Sequence, residues 1–209
     1  LGHGGSIRTK EDYGYFGEPD GNRALLEDLH AVTTLTKQLY PGVPYFLLGH
    51  SMGSFYARQY LCEWGDKLDG AIIMGTGWQP KAVIAGGLAV AKAVGAVVGE
   101  SGTSELVTKL AFGAYNRLFA PNRTSCDWLS ADTDNVDAYM ADPLCGADAT
   151  VGLFRQMLLG IRFNQRLSNL RQMDPQTPVL FIAGQDDPVG NMGKGVRRSY
   201  DAFRAAGMQ

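Results

Sequence analysis

Runs of apolar residues alternate with amphipathic stretches along this chain, and the alternation predicts strands interleaved with helices. Three short runs, at 45–48, 70–74 and 178–182, are almost continuously apolar and are bounded by Gly or Pro. Residues 22–40 instead show helical spacing, with one apolar face formed by Leu25, Leu26, Leu29, Val32, Leu35 and Leu39. Near-continuous apolar strands separated by helices are typical of a parallel sheet that is covered on both faces.

The segment between the second and third predicted strands contains only helical patterns. Because a structureless loop of that length is uncommon inside a compact domain, the segment is predicted to be an inserted helical cap. The predicted organisation is a core over 1–77 and 174–209, with the cap over 78–173. Helices are expected at 54–64 and 195–206 in the core and at 81–99, 103–112, 135–140 and 150–165 in the cap.

Composition excludes several classes of function. An apolar fraction of 45% is ordinary for a globular core, and a net charge of −2 with scattered Lys and Arg residues argues against a nucleic-acid partner. Cys62, Cys126 and Cys145 are widely spaced, which indicates reduced thiols and neither a disulfide framework nor a zinc site. The reduced thiols are typical of a cytoplasmic location, and we expect no metal and no cofactor.

One stretch, 82–99, is apolar enough to raise the question of a membrane span. It consists mainly of Ala, Gly and Val, whereas a spanning helix needs about 20 strongly apolar residues. Its single charge, Lys92, lies mid-segment, where burial in lipid is costly. The stretch is therefore predicted to be a packed or lid helix of the cap. Three alternatives stay open for its apolar residues: they line a tunnel, they touch a membrane surface transiently, or they simply hold the cap helices together. The second alternative would make the protein peripheral to the membrane.

The candidate chemistry lies directly behind the first strand, where residues 49–53 are Gly-His-Ser-Met-Gly. This pattern between a strand and a helix is typical of a nucleophile elbow, in which Ser51 occupies a strained turn at the tip of the sheet. Gly49 and Gly53 are expected to leave room for the turn, and His50 is expected to point away into the sheet. The backbone N–H of Met52 is predicted to stabilise an oxyanion at the start of the following helix.

Several segments together resemble the α/β-hydrolase fold, and more specifically its lysophospholipase and monoacylglycerol lipase branch. Residues 2–6 are similar to the Asp-x-x-Gly-His-Gly-x-Ser segment of that family without its leading Asp, and residues 47–54 are similar to its elbow. Residues 178–189 resemble the strand and loop that present the catalytic acid, and 127–130 and 142–146 resemble pieces of bacterial lysophospholipase-like caps. The resemblance implies an α/β-hydrolase core with an inserted cap, whose N-terminal strands and last strand are missing from this chain.

In that family the catalytic triad runs Ser, acid, His along the chain. Ser51 is then the nucleophile, and the Gly-x-x-Asp-x-Val pattern over 184–189 places the acid at Asp187, with Asp186 as the alternative. No His follows Asp187, and the three earlier histidines are poor substitutes for the base. The base and the second oxyanion donor are therefore expected outside 1–209, and this chain alone is predicted to be nearly inactive.

The resemblance implies a serine hydrolase that cleaves carboxylic esters of single-chain lipids, such as a monoacylglycerol or a lysophospholipid, through an acyl-enzyme on Ser51. The alternatives are a short-chain carboxylesterase, a proline-iminopeptidase-like hydrolase, or a non-catalytic pseudo-hydrolase or binding module. The peptidases usually need an acidic pair in the cap, but the spacing of Asp132, Asp134 and Asp137 favours a helix N-terminus. The expected partner is a small lipid ester, and the oligomeric state is left open.

Overall fold

The computed structural model describes residues 2–9, 12–17, 19–146 and 148–209. The helices are α1 (Gly21–Leu39), α2 (Met52–Trp64), α3 (Lys81–Val98), α4 (Glu105–Phe112), α5 (Thr133–Ala141), α6 (Val151–Asn164), α7 (Leu167–Leu170) and α8 (Lys194–Ala206). The strands are β1 (Phe46–His50), β2 (Gly70–Met74) and β3 (Val179–Ile182). These bounds agree closely with the expected elements, except that the short α7 was not predicted from the sequence.

The three strands form a parallel sheet in the order β1-β2-β3. In its register Leu48 pairs with Ile72, and Ile72 pairs with Leu180. The strands run in the same direction, so the residues that follow each of them meet at one edge of the sheet. The predicted parallel sheet is confirmed, and its carboxyl edge is where ligands bind in open α/β sheets.

Only one face of this sheet is covered within the described residues. On the covered face, Ala71 and Ile73 are buried and pack under α2. On the opposite face, Phe46 is 60% exposed and Leu180 is 55% exposed, and Leu48, Met74 and Ile182 are exposed as well. The apolar strands predicted a sheet covered on both faces. A strand pattern reports only the apolar character of the side chains. It does not show whether another element lies against each face, which is why the predicted cover of the second face is not seen among the described residues.

The apolar stripe of α1 is divided in the same way. Leu25 and Leu26 are buried, whereas Val32, Leu35 and Leu39 are exposed. Helical spacing identifies which side chains share a face. It does not identify which apolar side chains of that face pack against another element, and here Leu25 and Leu26 do so whereas Val32, Leu35 and Leu39 do not.

By packing, the chain divides into two compact units. One contains Leu1–Gly21 and Gly86–Gln156, and the other contains Asn22–Ala85 and Met157–Gln209. In the first unit, the Phe112 ring lies 5.5 Å from the Phe154 ring, and Arg155 donates to both carboxylate oxygens of Glu100. The second unit contains the sheet and the two loops that carry the candidate catalytic residues.

The acidic residues around α5 have structural partners within the first unit. The Asp132 carboxylate accepts a hydrogen bond from the backbone N–H of Asp134 at 3.0 Å and caps the helix. Asp137 forms an ion pair with Arg123 at 2.6 Å. This arrangement is the helix N-terminus expected from the spacing.

In the described part of the chain, α3 is the one helix long and apolar enough to cross a membrane by length and composition. Only 11% of this helix is buried. Val97, near its end, is 85% exposed. The helix therefore presents most of its apolar surface outward.

Candidate active site

Ser51 lies on the turn between β1 and α2, with φ 51° and ψ −117°. A non-glycine residue with a positive φ is strained and persists only where its surroundings fix it. Here the Ser51 N–H donates to the Met74 carbonyl of β2 at 2.9 Å. The Ser51 carbonyl accepts from the Ser54 N–H at 2.9 Å and from the Ser54 hydroxyl at 2.5 Å. These bonds fix the strained serine at the carboxyl edge of the sheet.

The two glycines of the pentapeptide differ in their surroundings. A Cβ at Gly49 would lie 2.4 Å from the Gly53 carbonyl oxygen and 2.8 Å from the Ala57 Cβ, closer than real Cβ contacts. At Gly53, a Cβ would have no described heavy atom within 4 Å outside its own helix and chain neighbours. The tight packing of strand against helix therefore requires glycine at position 49.

Met52 is the first residue of α2, directly after the strained serine. A backbone N–H in the first turn of a helix has no acceptor within that helix, and the helix dipole makes this end partly positive. Such an N–H, next to a nucleophile, can donate to a negatively charged oxygen. The geometry is compatible with the oxyanion role expected for Met52.

The loop after β3 holds Asp187 through its backbone. The Asp187 N–H donates to the Gly184 carbonyl at 3.3 Å, and its Oδ1 accepts from the Val189 N–H at 2.8 Å. The Met192 N–H donates to the Asp187 carbonyl at 3.0 Å, and Met192 itself has φ 52°. Asp187 is half-buried, whereas the alternative acid Asp186 is exposed. The structure thus anchors one of the two neighbouring carboxylates in the loop.

Gly75 marks the point where the three strand ends meet. A Cβ placed there would lie 3.4 Å from Asp187 Oδ2 and 3.4 Å from His50 Cδ2. His50 is exposed at the end of β1. Its side chain was expected to point into the sheet, and instead it lies on the open face. The alternation of side chains along β1 explains this, because Gly49 occupies the covered face and His50 the open one.

The remaining histidines have structural surroundings. The His30 ring stacks on Trp64 at 4.3 Å between centroids, and its Nδ1 lies 3.0 Å from the Tyr60 hydroxyl. In the first unit, the His3 ring lies 5.5 Å from the Tyr13 ring. Among the described residues, no group of three or more His, Cys, Asp or Glu side chains is arranged to hold a metal ion.

The three cysteines are free thiols, as expected. Cys62 is buried on α2, and this burial raises the pKa of its thiol to about 12. It is therefore protonated at neutral pH and is not a reactive thiolate.

Sequence reasoning missed Arg58, which lies on α2 and is fully buried. Burial lowers the pKa of its guanidinium to about 10, so the group stays charged at neutral pH. It donates to Thr76 Oγ1 at 3.2 Å, to the Gly77 carbonyl at 3.0 Å and to the Asn164 carbonyl at 3.3 Å. The sequence does contain a signal for Arg58, which is a cation among the apolar residues of a core helix. Such a cation needs buried polar partners.

The whole chain, residues 1–209, matches the model of the family described as serine aminopeptidase, S33. Among solved structures, a thermostable carboxyl esterase from Bacillus coagulans in complex with glycerol is 26% identical, with a TM-score of 0.88. That match covers 100% of this chain and 67% of the esterase chain.

Two further relatives are more distant. A soluble variant of monoglyceride lipase from Saccharomyces cerevisiae, in complex with a substrate analog, has a TM-score of 0.63 at 15% identity and matches over 98% of this chain and 62% of its own. A monoglyceride lipase homolog from Monkeypox virus is 24% identical over 199 residues, or 90% of this chain. The chain spans 63% of the length of that viral relative.

The unequal surroundings of the two elbow glycines predict unequal effects of substitution. Gly49→Ala should lower the free energy of unfolding by about 1–3 kcal/mol, because the new methyl group overlaps the Gly53 carbonyl and Ala57. Gly53→Ala is the matched control and should be neutral, or stabilising by up to about 1 kcal/mol, because alanine favours a helix. Urea unfolding of the whole protein measures both values, and equal destabilisation by the two variants would contradict this account of Gly49.

Proposed function

The chain belongs to the serine aminopeptidase S33 family and has the α/β-hydrolase fold, and from this premise we propose that the protein is a serine hydrolase of carboxylic esters. The observation that carries the proposal is the strained backbone of Ser51 between a strand end and a helix N-terminus. This turn places a hydroxyl beside a backbone N–H in the first turn of a helix, which is the arrangement that acyl transfer requires.

The proposed reaction begins when the Ser51 oxygen attacks the acyl carbonyl of the ester. A His outside residues 1–209 accepts the hydroxyl proton, and Asp187 orients that His. The Met52 N–H donates to the developing oxyanion, and the alcohol leaves with the proton from the His. Water then attacks the acyl-enzyme on Ser51 and releases the carboxylic acid. On this mechanism, residues 1–209 alone should be nearly inactive.

We assign single-chain lipid esters, such as a monoacylglycerol or a lysophospholipid, as the substrate class. Two relatives named as a monoglyceride lipase and its homolog support this assignment. A short-chain carboxylesterase is the second candidate, favoured by the likeness to the carboxyl esterase from Bacillus coagulans. Peptidase activity has less support, since Asp132 and Asp137 already engage a helix N-terminus and Arg123.

We also propose that the protein is cytoplasmic and that α3 contacts a lipid surface. The free thiols suit a reducing compartment. The outward surface of α3 carries two charges, Lys81 at its first residue and Lys92 near its middle, and would bury its valine side chains at the interface between lipid and water. Such contact would place a lipid ester near the enzyme without requiring a membrane span.

Substitutions of Ser51 and of the two neighbouring carboxylates test the mechanism in the whole protein. Ser51→Ala should abolish ester hydrolysis and labelling by a fluorophosphonate probe, because the attacking oxygen is removed. Asp187→Asn should lower kcat by about 10⁴-fold, as expected when the His loses its orienting carboxylate. Asp186→Asn is the matched control and should remain near wild type, because that side chain is exposed. Labelling of Ser51→Ala, or a larger loss in Asp186→Asn, would overturn the assignment.

Chain-length preference tests the substrate class. We expect kcat/KM for a long-chain monoacylglycerol to exceed that for a short-chain ester of the same alcohol, because an acyl chain gains free energy with every buried CH₂. A preference for the short ester would favour the carboxylesterase candidate. Faster cleavage of a prolyl amide than of either ester would favour the peptidase.

Vesicle binding tests the surface contact of α3. The double variant Val83→Asp and Val97→Asp should sediment less with phosphatidylcholine vesicles than the wild type, because both side chains are exposed on α3. Ser101→Asp adds a charge at an exposed polar position beyond the helix and serves as the control. Equal sedimentation of all three proteins would show that α3 does not bind the lipid surface.

A further inference from the structure

Arg58 is a buried cation whose described hydrogen-bond partners include no carboxylate. Its guanidinium is bound by neutral oxygens of Thr76, Gly77 and Asn164, and its carbon lies 6.0 Å from the centroid of the Phe203 ring. Asn164 is the last residue of α6, where the helix dipole favours a positive charge. Burying a charge without a counter-charge is costly, so this arrangement needs a compensating role.

The oxygens bound by Arg58 fix the segment that follows β2. Two of the three, Thr76 Oγ1 and the Gly77 carbonyl, belong to adjacent residues of this segment. The Gly77 carbonyl also accepts a hydrogen bond from the Ser199 hydroxyl of α8 at 3.4 Å. The backbone at Gly77 is therefore held from the nucleophile helix on one side and from α8 on the other.

The same segment supports the loop that carries the candidate acid. A Cβ at Gly77 would lie 2.4 Å from the Val189 carbonyl oxygen, and one at Gly190 would lie 3.0 Å from the Thr76 carbonyl oxygen. The Val189 N–H donates to Asp187 Oδ1 at 2.8 Å. A displacement of Gly77 would therefore move Val189 and rotate the carboxylate of Asp187.

We propose that Arg58 is a positioning residue that couples the nucleophile helix to the acid loop. It holds Gly77, Gly77 supports Val189, and Val189 orients the carboxylate of Asp187. The inference rests on the proposed function, because it assumes that Ser51 and Asp187 act in one reaction. Arg58 itself does not touch the reacting atoms.

The proposal predicts a change in pH dependence that a merely structural role would not cause. An aligned carboxylate raises the pKa of the His that it orients, so misalignment of Asp187 lowers that pKa. The acid limb of the pH profile, where kcat/KM falls as the pH is lowered, follows protonation of this His. The acid limb would therefore move to lower pH. The His50 imidazole lies against Gly75 beside Asp187 and is the other titratable group at this position.

The groups that face Arg58 do not titrate in the same range. They are Thr76 after β2, Asn164 of α6, the Phe203 ring of α8 and Cys62 on the next turn of α2. Of these, Cys62 alone titrates, and burial raises the pKa of its thiol to about 12. A shift of the acid limb therefore reports on the surroundings of Asp187 and not on the groups that contact Arg58.

The test uses the whole protein with an ester substrate and compares Arg58→Met with Gln59→Leu. Gln59 is also buried on α2, but it binds Asn22 at 2.7 Å and serves as the matched control for loss of a buried polar side chain. Arg58→Met should lower kcat by about 10- to 100-fold with KM little changed, and should move the acid limb to lower pH. Arg58→Lys should recover part of kcat, and Gln59→Leu should keep the wild-type pH profile.

A milder variant keeps the proposal testable if Arg58→Met does not fold. Thr76→Val removes one acceptor of Arg58 with little change in volume and should shift the acid limb in the same direction by a smaller amount. Wild-type kcat and pH profile in folded Arg58→Met, or in Thr76→Val if the former does not fold, would overturn the proposal. So would an equal shift in Gln59→Leu. Failure of the proposed function can be distinguished from failure of this proposal. In that case the wild type would be inactive on the ester, or the Ser51→Ala variant would remain active.

Discussion

The close approach of α2 to the end of β1 is the constraint on which the site depends. At Gly49 a single methyl group would overlap the Gly53 carbonyl oxygen, at 2.4 Å, so the helix packs directly on the strand. The chain can enter α2 only through a sharp turn, and Ser51 adopts φ 51° there. The same turn leaves the Met52 N–H at the open end of the helix. Local packing thus places the half-buried Ser51 directly beside the backbone N–H that can act as a donor.

Backbone contacts, more than ion pairs, hold the carboxyl edge of the sheet together. The Ser51 N–H binds the carbonyl of Met74, and the Val189 carbonyl rests against Gly77. A buried cation, Arg58, connects this edge to the interior of the second unit through neutral oxygens. These hydrogen bonds of Arg58 are shielded from water, so their strength should depend little on ionic strength.

The elbow and the acid loop could be predicted because each has a local signal. A Gly-x-Ser-x-Gly pentapeptide behind an apolar run identifies the turn, and a Gly-x-x-Asp pattern behind another run identifies Asp187 as the candidate. The direction of His50 was predicted wrongly, since it depends on which face of β1 is covered. The exposure of Leu39 was missed for the same reason, because spacing groups side chains without identifying their neighbours.

Apart from the short α7, the sequence by itself determined the order and type of the helices and strands, the parallel sheet and the candidate roles of Ser51 and Asp187. These follow from spacing between near neighbours along the chain, where sterics and burial act locally. Only the tertiary structure decided that Gly49, and not Gly53, is pressed against a neighbour, and that Arg58 reaches the Asn164 carbonyl across 106 residues. Such contacts depend on how distant elements pack, and no local spacing encodes them.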